Sequence, residues 1–320
     1  MAGYLPLVAV DVDADAVRTY RSNFPDTQVL HADILGLTAF DLLEVAGLRR
    51  SDSLDLVIGG PPCTPFSKAG LWLDWKREGL DPAHGLIEVF GRFVAALRPR
   101  LFVFENVPTV ASKSSPYRES YGRMLSSLRR AGYALDSAVL NAVDVGVPQA
   151  RRRLFVVGAL NSNGRGPKLT FRKVADSVSC RKAFADLPES PEPEEVLSGK
   201  WAELVAEVPP GENYLYFTKR RGYPSPLFEW RSRYWNFLLK LHPDRVSPTI
   251  QAQPGPSTGP FHWENRRLRT SELKRLFGYP DDFEFHGSRS SIQRQIGNSV
   301  PPPVGALIGS LLEAPDTALF

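Results

Sequence analysis

Through its first 160 residues the chain alternates short, nearly continuous apolar runs with stretches of helical spacing, which restricts its possible folds more than any other feature. "LPLVAVDVD" (5–13) reads as a strand and "ADAVRTYRSNF" (14–24) as a helix. "SLDLVIGG" (53–60) is a second strand, "LIEVFGRFVAAL" (86–97) a helix that Pro99 stops, and "RLFVFENV" (100–107) a third strand. A helix in "YGRMLSSLRRAG" (121–132) and strands in "YALDSAVLNA" (133–142) and "RRRLFVVGAL" (151–160) follow. Apolar strands joined by helices predict an α/β fold with a largely parallel sheet. The last two strands have no helix between them and predict an antiparallel hairpin at the sheet edge.

With 320 residues, 42% of them hydrophobic, the chain can build one large domain, or one domain with a smaller companion. The apolar start has no basic segment before it and meets "DVDADA" at once, so it is read neither as a signal peptide nor as a membrane span, and the protein is expected inside the cell. Cys63 and Cys180, the two cysteines, lie far apart without metal-ligand spacing, so both thiols are expected free and no metal is expected. A net charge of +4 permits an acidic partner such as nucleic acid without establishing one.

In an open α/β sheet, ligands bind beyond the carboxyl ends of the strands. Cys63 lies just past "LDLVIGG" and Glu105 just past "RLFVF", so the fold brings a thiol and a carboxylate to one rim. Asp11, Asp13 and Asp33 follow apolar runs or loops on the same side.

After Leu160 the texture changes. Residues 161–213 are rich in Pro, Ser, Gly and Glu, and "ESPEPEE" (189–195) reads as a solvated acidic connector. From Tyr214 to Arg245, seven basic residues (Lys219, Arg220, Arg221, Arg231, Arg233, Lys240, Arg245) are interleaved with nine aromatics. Several of the basic residues are expected to touch nucleic acid, and some of the aromatics to form a small core. "TSELKRLFGYPDDF" predicts a short helix capped by Thr270 or Ser271 and closed by Gly278 and Pro280. "QIGNSVPPPVGALIGSLL" then predicts a Gly-Asn turn and a last apolar helix.

Five strings, "GGPPCTPFSKAG", "FENV", "QARRR", "RLRTSELKRLFGYPDDF" and "QIGNSVPPPV", resemble the blocks of the DNA (cytosine-5)-methyltransferase family in order and spacing, over nearly the whole chain. The resemblance implies a doubly wound, Rossmann-like, S-adenosylmethionine-dependent methyltransferase sheet with a smaller target-recognition domain. Residues 1–160 are then the catalytic domain, 161–247 the target-recognition region and 248–320 the return segment. The implied activity is methyl transfer to carbon 5 of a cytosine in specific double-stranded DNA, in the bacterial cytoplasm, with a cognate restriction endonuclease as possible partner. A transfer RNA substrate, or a DNA-binding homologue with an impaired site, are the alternatives.

Carbon 5 of cytosine is a poor nucleophile, and a thiolate adding to carbon 6 activates it. By resemblance Cys63, on the stiff Pro61-Pro62 turn, is that nucleophile, and Glu105 engages ring nitrogen 3 and the amino group. Asn106 shapes the turn. Arg153 contacts the carbonyl of a flipped cytosine and Arg151 supports the catalytic loop, with Arg152 pointing away as strand alternation requires. Residues 67–85, with Lys68, Trp72, Trp75, Lys76 and Arg77, resemble the family's mobile loop. Cofactor-lining positions by the same resemblance are Asp11, Val12, Asp33, Ile34, Pro62, Leu86, Asn298 and Val300.

The chain departs from the family at its start: the phenylalanine- and glycine-rich block that forms a central first strand does not precede "LPLVAVDVD". A strand and tight loop of roughly fifteen to twenty residues are missing, which leaves strand edges unpaired and the cofactor site half-built. A start codon assigned too late, a separate chain supplying the strand, or a degenerate DNA-binding protein would each account for this; the downstream residues favour the first.

Overall fold

The computed structural model describes residues 3–62, 83–161, 166–170, 173, 175–188, 192–197 and 199–313. In chain order its first half holds β1 (Val8–Asp11), α1 (Ala14–Asn23), β2 (Gln28–His31), α2 (Ala39–Val45), β3 (Leu56–Gly59), α3 (Ala83–Leu97), β4 (Leu101–Asn106), α4 (Arg118–Arg130), β5 (Tyr133–Asn141), β6 (Gln149–Ala150) and β7 (Arg152–Leu160). There follow α5 (Cys180–Phe184), α6 (Ala202–Glu207), β8 (Ser247–Pro248), α7 (Thr270–Phe277), α8 (Arg289–Asn298) and α9 (Pro302–Glu313). These elements form two compact units, one from Met1–Asn141, Arg152–Arg172 and Ala306–Phe320, the other from Ala142–Arg151 and Lys173–Gly305. Among the described residues no helix is long and apolar enough to cross a membrane.

The first unit carries the predicted α/β architecture. β1 and β2 pair in parallel, and a four-stranded sheet runs β3-β4-β7-β5, with β3 and β4 parallel and β7 antiparallel to both its neighbours. The predicted hairpin of β5 and β7 forms, but only β5 is at the edge. The reason is in the side chains: Leu154–Gly158 of β7 are all buried, and such a run needs cover on both faces. The core packs Ile87, Phe90 and Val94 of α3 and Met124 and Leu128 of α4 against Phe102 and Phe104 of β4 and Val156 of β7. Among the described residues β1 pairs only with β2, and β3 only with β4. Each has an unpaired side, and Ile58 of β3 is 69% exposed.

The second unit has two apolar cores. One gathers the aromatics of 214–237, with Tyr214, Phe217, Phe228 and Phe237 buried in edge-to-face contacts. The other joins Leu273, Leu276 and Phe277 of α7 to Ile296 of α8 and to Cys180. Cys180 is a free, buried thiol whose burial pushes its pKa up to about 12. This unit corrects three expectations. "ESPEPEE" is not merely solvated: Glu195 bonds Arg269 at 2.7 Å and lies 3.4 Å from Arg266, while Glu192 accepts the Thr270 N–H at 2.8 Å. Because Glu192 takes that N–H, α7 is capped one residue earlier, where the Arg269 N–H is held by Glu272 at 2.8 Å. Finally, Gly297 and Asn298 end the helix α8 instead of forming a free-standing turn.

Candidate active site

The carboxyl end of β4 presents Glu105 and Asn106, and register decides what they meet. Glu105 lies opposite Phe155 of β7, and Arg153, two residues earlier, shares that face because side chains alternate along a strand. The diagonal neighbours form an ion pair, Arg153 Nε to Glu105 Oε1 at 3.0 Å, with both side chains largely buried. Arg152 is exposed, as the alternation requires.

The carboxylate is backed by the end of β3. A Cβ on Gly60 would lie 3.0 Å from Glu105 Oε2, and one on Gly59 would fall 2.5 Å from the Phe90 ring, so both glycines make room. Asn106, 2% exposed, donates from Nδ2 to the Pro61 carbonyl at 3.1 Å and accepts the Val107 N–H at 2.8 Å. It therefore ties the chain at Pro61 to the end of β4. Pro62 follows, exposed; Cys63 and the loop with Lys68, Trp72, Trp75, Lys76 and Arg77 lie outside the described residues.

A second group occupies the carboxyl ends of β1 and β2, whose last residues Asp11 and His31 are paired in register. Asp11 Oδ1 accepts the Asp13 N–H at 2.8 Å, and Asp33 Oδ1 accepts the Leu35 N–H at 2.9 Å. Desolvation raises the Asp11 pKa against that backbone hydrogen bond, and the Asp13 carboxylate adds to the rise. Beside the two acids stand Val12, 68% exposed, and the half-buried Ile34. Leu86, also half-buried, is on α3. The structure thus brings Asp11, Val12, Asp33 and Ile34 to one sheet edge, and Glu105 and Arg153 together at another.

Arg151 belongs to the second unit. It is 2% exposed, donates from Nη2 to the Gly297 carbonyl at 2.7 Å and to the Ser299 carbonyl at 3.0 Å, and stands 4.9 Å over the Phe277 ring. These bonds fix the turn that carries Asn298, exposed, and Val300, half-buried. Gly297 is indispensable there, since a Cβ would come within 2.5 Å of the Ala252 Cα. Gln149, two residues before Arg151 and fully buried, was not singled out in the sequence; it donates to the Leu276 carbonyl at 3.0 Å and accepts the Ile250 N–H at 3.1 Å. A glutamine leading an arginine run is the only trace of this role in the sequence.

A carboxylate held by an arginine can hydrogen-bond a heterocycle while the guanidinium meets a carbonyl, and paired acids with apolar neighbours can hold a nucleoside. Comparison with known proteins places the chain among its relatives. The type II methyltransferase M.SacI of Streptomyces achromogenes is 45% identical over 323 residues, covering 94% of this chain and 82% of the relative. M1.HphI of Haemophilus parahaemolyticus, also a type II methyltransferase, is 32% identical over 313 residues, covering 94% and 78%. A solved structure from E. coli, described as a DNA modification methyltransferase encoded within a prophage, shares the fold with a TM-score of 0.71 at 24% identity, covering 97% of this chain and 92% of that one. The family described as C-5 cytosine-specific DNA methylase matches residues 1–313, and with a match of that extent the chain belongs to this family.

Proposed function

We propose that this DNA (cytosine-5)-methyltransferase acts on a cytosine in a specific duplex sequence, through a covalent Cys63 adduct on a flipped base, as the modification enzyme of a restriction-modification system in the bacterial cytoplasm. The observation that carries the reading is the Glu105–Arg153 ion pair, set against Gly60 three residues before Cys63. Glu105 engages ring nitrogen 3 and the amino group, so that negative charge is dispersed as the Cys63 thiolate adds to carbon 6. Arg153 faces the carbonyl oxygen of the same ring. Asn106, through Pro61, sets where the Pro61-Pro62 turn delivers the thiol.

S-adenosylmethionine supplies an electrophilic methyl group when bound. The residues present fit such a donor: Asp11 and Asp33 offer carboxylate oxygens to hydroxyl and amino groups, with Val12 and Ile34 as apolar flanks for a ring. Pro62, Leu86, Asn298 and Val300 are proposed for the cofactor on the family resemblance alone, and Arg151 would act through the Gly297–Ser299 turn. The target-recognition region falls within 161–247, and a cognate endonuclease is the partner that gives the methyl mark its purpose. Among the described residues β1 and β3 each keep one side without a strand partner, where a strand from a separate chain would pair.

Trapping tests the reading. A 5-fluorocytosine duplex blocks loss of the substituent at carbon 5 and so holds the adduct. Incubated with S-adenosylmethionine, the protein is expected to give a DNA adduct that survives denaturing electrophoresis and is absent from Cys63→Ser. An adduct that persists in that variant removes Cys63 from the mechanism.

A further inference from the structure

The surface of residues 218–235 holds five basic side chains, Lys219, Arg220, Arg221, Arg231 and Arg233, all exposed, against one acid, Glu229. They are not equivalent. Arg221 is committed to Glu212 at 3.0 Å. Arg220 lies 4.3 Å over the Trp230 ring, and with Lys219, Thr218, Phe228 and Glu229 the two line a cleft of 480 Å³.

Arg231 differs from all of these. Ser232 closes a turn on Glu229, its N–H donating to the Glu229 carbonyl at 3.2 Å and its Oγ to the same oxygen at 2.8 Å. Arg231 is the third residue of that turn and has φ 59, where glycine or asparagine is the ordinary occupant and another side chain costs stability. Among the described residues it has no carboxylate partner. The turn gains nothing from an arginine, so the side chain itself accounts for the residue; strained backbone of this kind gathers at functional sites.

The main chain beyond the turn is held by buried side chains. The buried Tyr214 hydroxyl donates to the Arg233 carbonyl at 2.7 Å and accepts the Arg233 N–H at 3.1 Å, and Asn213 Nδ2 donates to the Trp235 carbonyl at 2.8 Å. The main chain is pinned from below while the side chains of Arg231, Arg233 and Trp235 stay exposed. Lys240 has no such freedom: it is buried on Asn265 Oδ1 at 2.6 Å, and desolvation lowers its pKa to about 8.

We propose that Arg231 is a specificity-determining residue of the methyl-transfer reaction, reading the major-groove edge of a guanine in the target site, while Lys219 and Arg220 hold phosphates of the same duplex. This rests on the reading that the substrate is duplex DNA. The planar guanidinium fits the two acceptors of guanine, whereas phosphate contacts position a duplex without reading it.

The test uses the full chain and measures binding of target and scrambled duplexes without methyl donor, beside the melting temperature. Arg231→Gly suits the positive φ, so its melting temperature is expected to stay level or rise by about 2 °C. Its preference for the target duplex is expected to fall roughly five- to a hundredfold. Replacing the target guanines by 7-deazaguanine should reproduce that loss in the wild type and add nothing in the variant. The Lys219→Ala/Arg220→Ala variant should bind both duplexes more weakly, with the preference kept and the log–log salt slope reduced by about 2. An Arg231→Gly protein with unchanged preference overturns the inference, as does one that loses affinity for both duplexes alike. Preference is read from binding and the adduct from Cys63 chemistry, so failure of one is distinguishable from failure of the other.

Discussion

Glu105 is held from three directions: by its own strand, by Arg153 at 3.0 Å, and by the bare backbone of Gly60. The last contact yields a sharp expectation. Gly60→Ala would put a methyl group 3.0 Å from the carboxylate oxygen, displacing the carboxylate by a few tenths of an ångström or more in a site where about 1 Å can cost a hundredfold in rate. Single-turnover methylation of duplex DNA is expected to slow roughly 10- to 100-fold, with the melting temperature down by about 2 °C or less. An equal rate would show that the carboxylate does not need its observed position. Glu105 was legible in the sequence as the residue ending an apolar run, whereas Arg153 was singled out only by the resemblance of "QARRR" to a family block. Their pairing was not legible, because it depends on the β4–β7 register, which no string of residues displays.

At the scale of elements, what was legible follows from composition. The apolar runs of β3, β4 and β7 announced themselves, as did α3 and α4. β2 was missed because it is four residues long with two exposed, and α8 because "RSSIQRQIGN" has only two large apolar side chains in ten residues. Both elements carry or adjoin proposed site residues, Asp33 after β2 and Asn298 at the end of α8. α8 is terminated from outside its own sequence: Arg151 holds the carbonyls of Gly297 and Ser299. Arg151→Met keeps the bulk but leaves two carbonyls without that donor, a loss of about 2–4 kcal/mol. Urea unfolding measures it. Because Asn298 and Val300 flank the held turn, KM for S-adenosylmethionine is expected to rise several-fold while affinity for duplex DNA changes little. A variant with both constants unchanged would confine Arg151 to stability.

For the whole molecule, the charges that matter to stability are not those on the surface. The second unit buries His262 with Glu272, 3.5 Å from its Nε2, and Arg266 bonds the same carboxylate at 2.7 Å. Arg269 bonds Glu195 at 2.7 Å. Desolvation lowers the His262 pKa from 6.5 to about 4, more than the Glu272 charge restores, with Arg266 and Arg269 adding to the fall. The folded protein keeps this imidazole neutral while the unfolded chain protonates it, so between these values the unfolded state binds more protons. Stability from His262 is therefore complete above pH 6.5, is lost as pH falls toward 4, and amounts to something on the order of 3 kcal/mol. Desolvation raises the Glu195 pKa, but the Arg269 hydrogen bond and its other partners outweigh it and lower the pKa, so its contribution is lost as pH falls from the ordinary carboxylate range through the lowered value. Asp11 works in the opposite sense, since its raised pKa favours the folded state on protonation. Thermal melts of the wild type should fall by several degrees from pH 6.5 to pH 4.5. His262→Gln, which has no proton to gain, should show a shallower fall over the same interval. Parallel pH profiles would mean that the carboxylates alone carry the acid sensitivity, and that the buried imidazole is already compensated by Glu272.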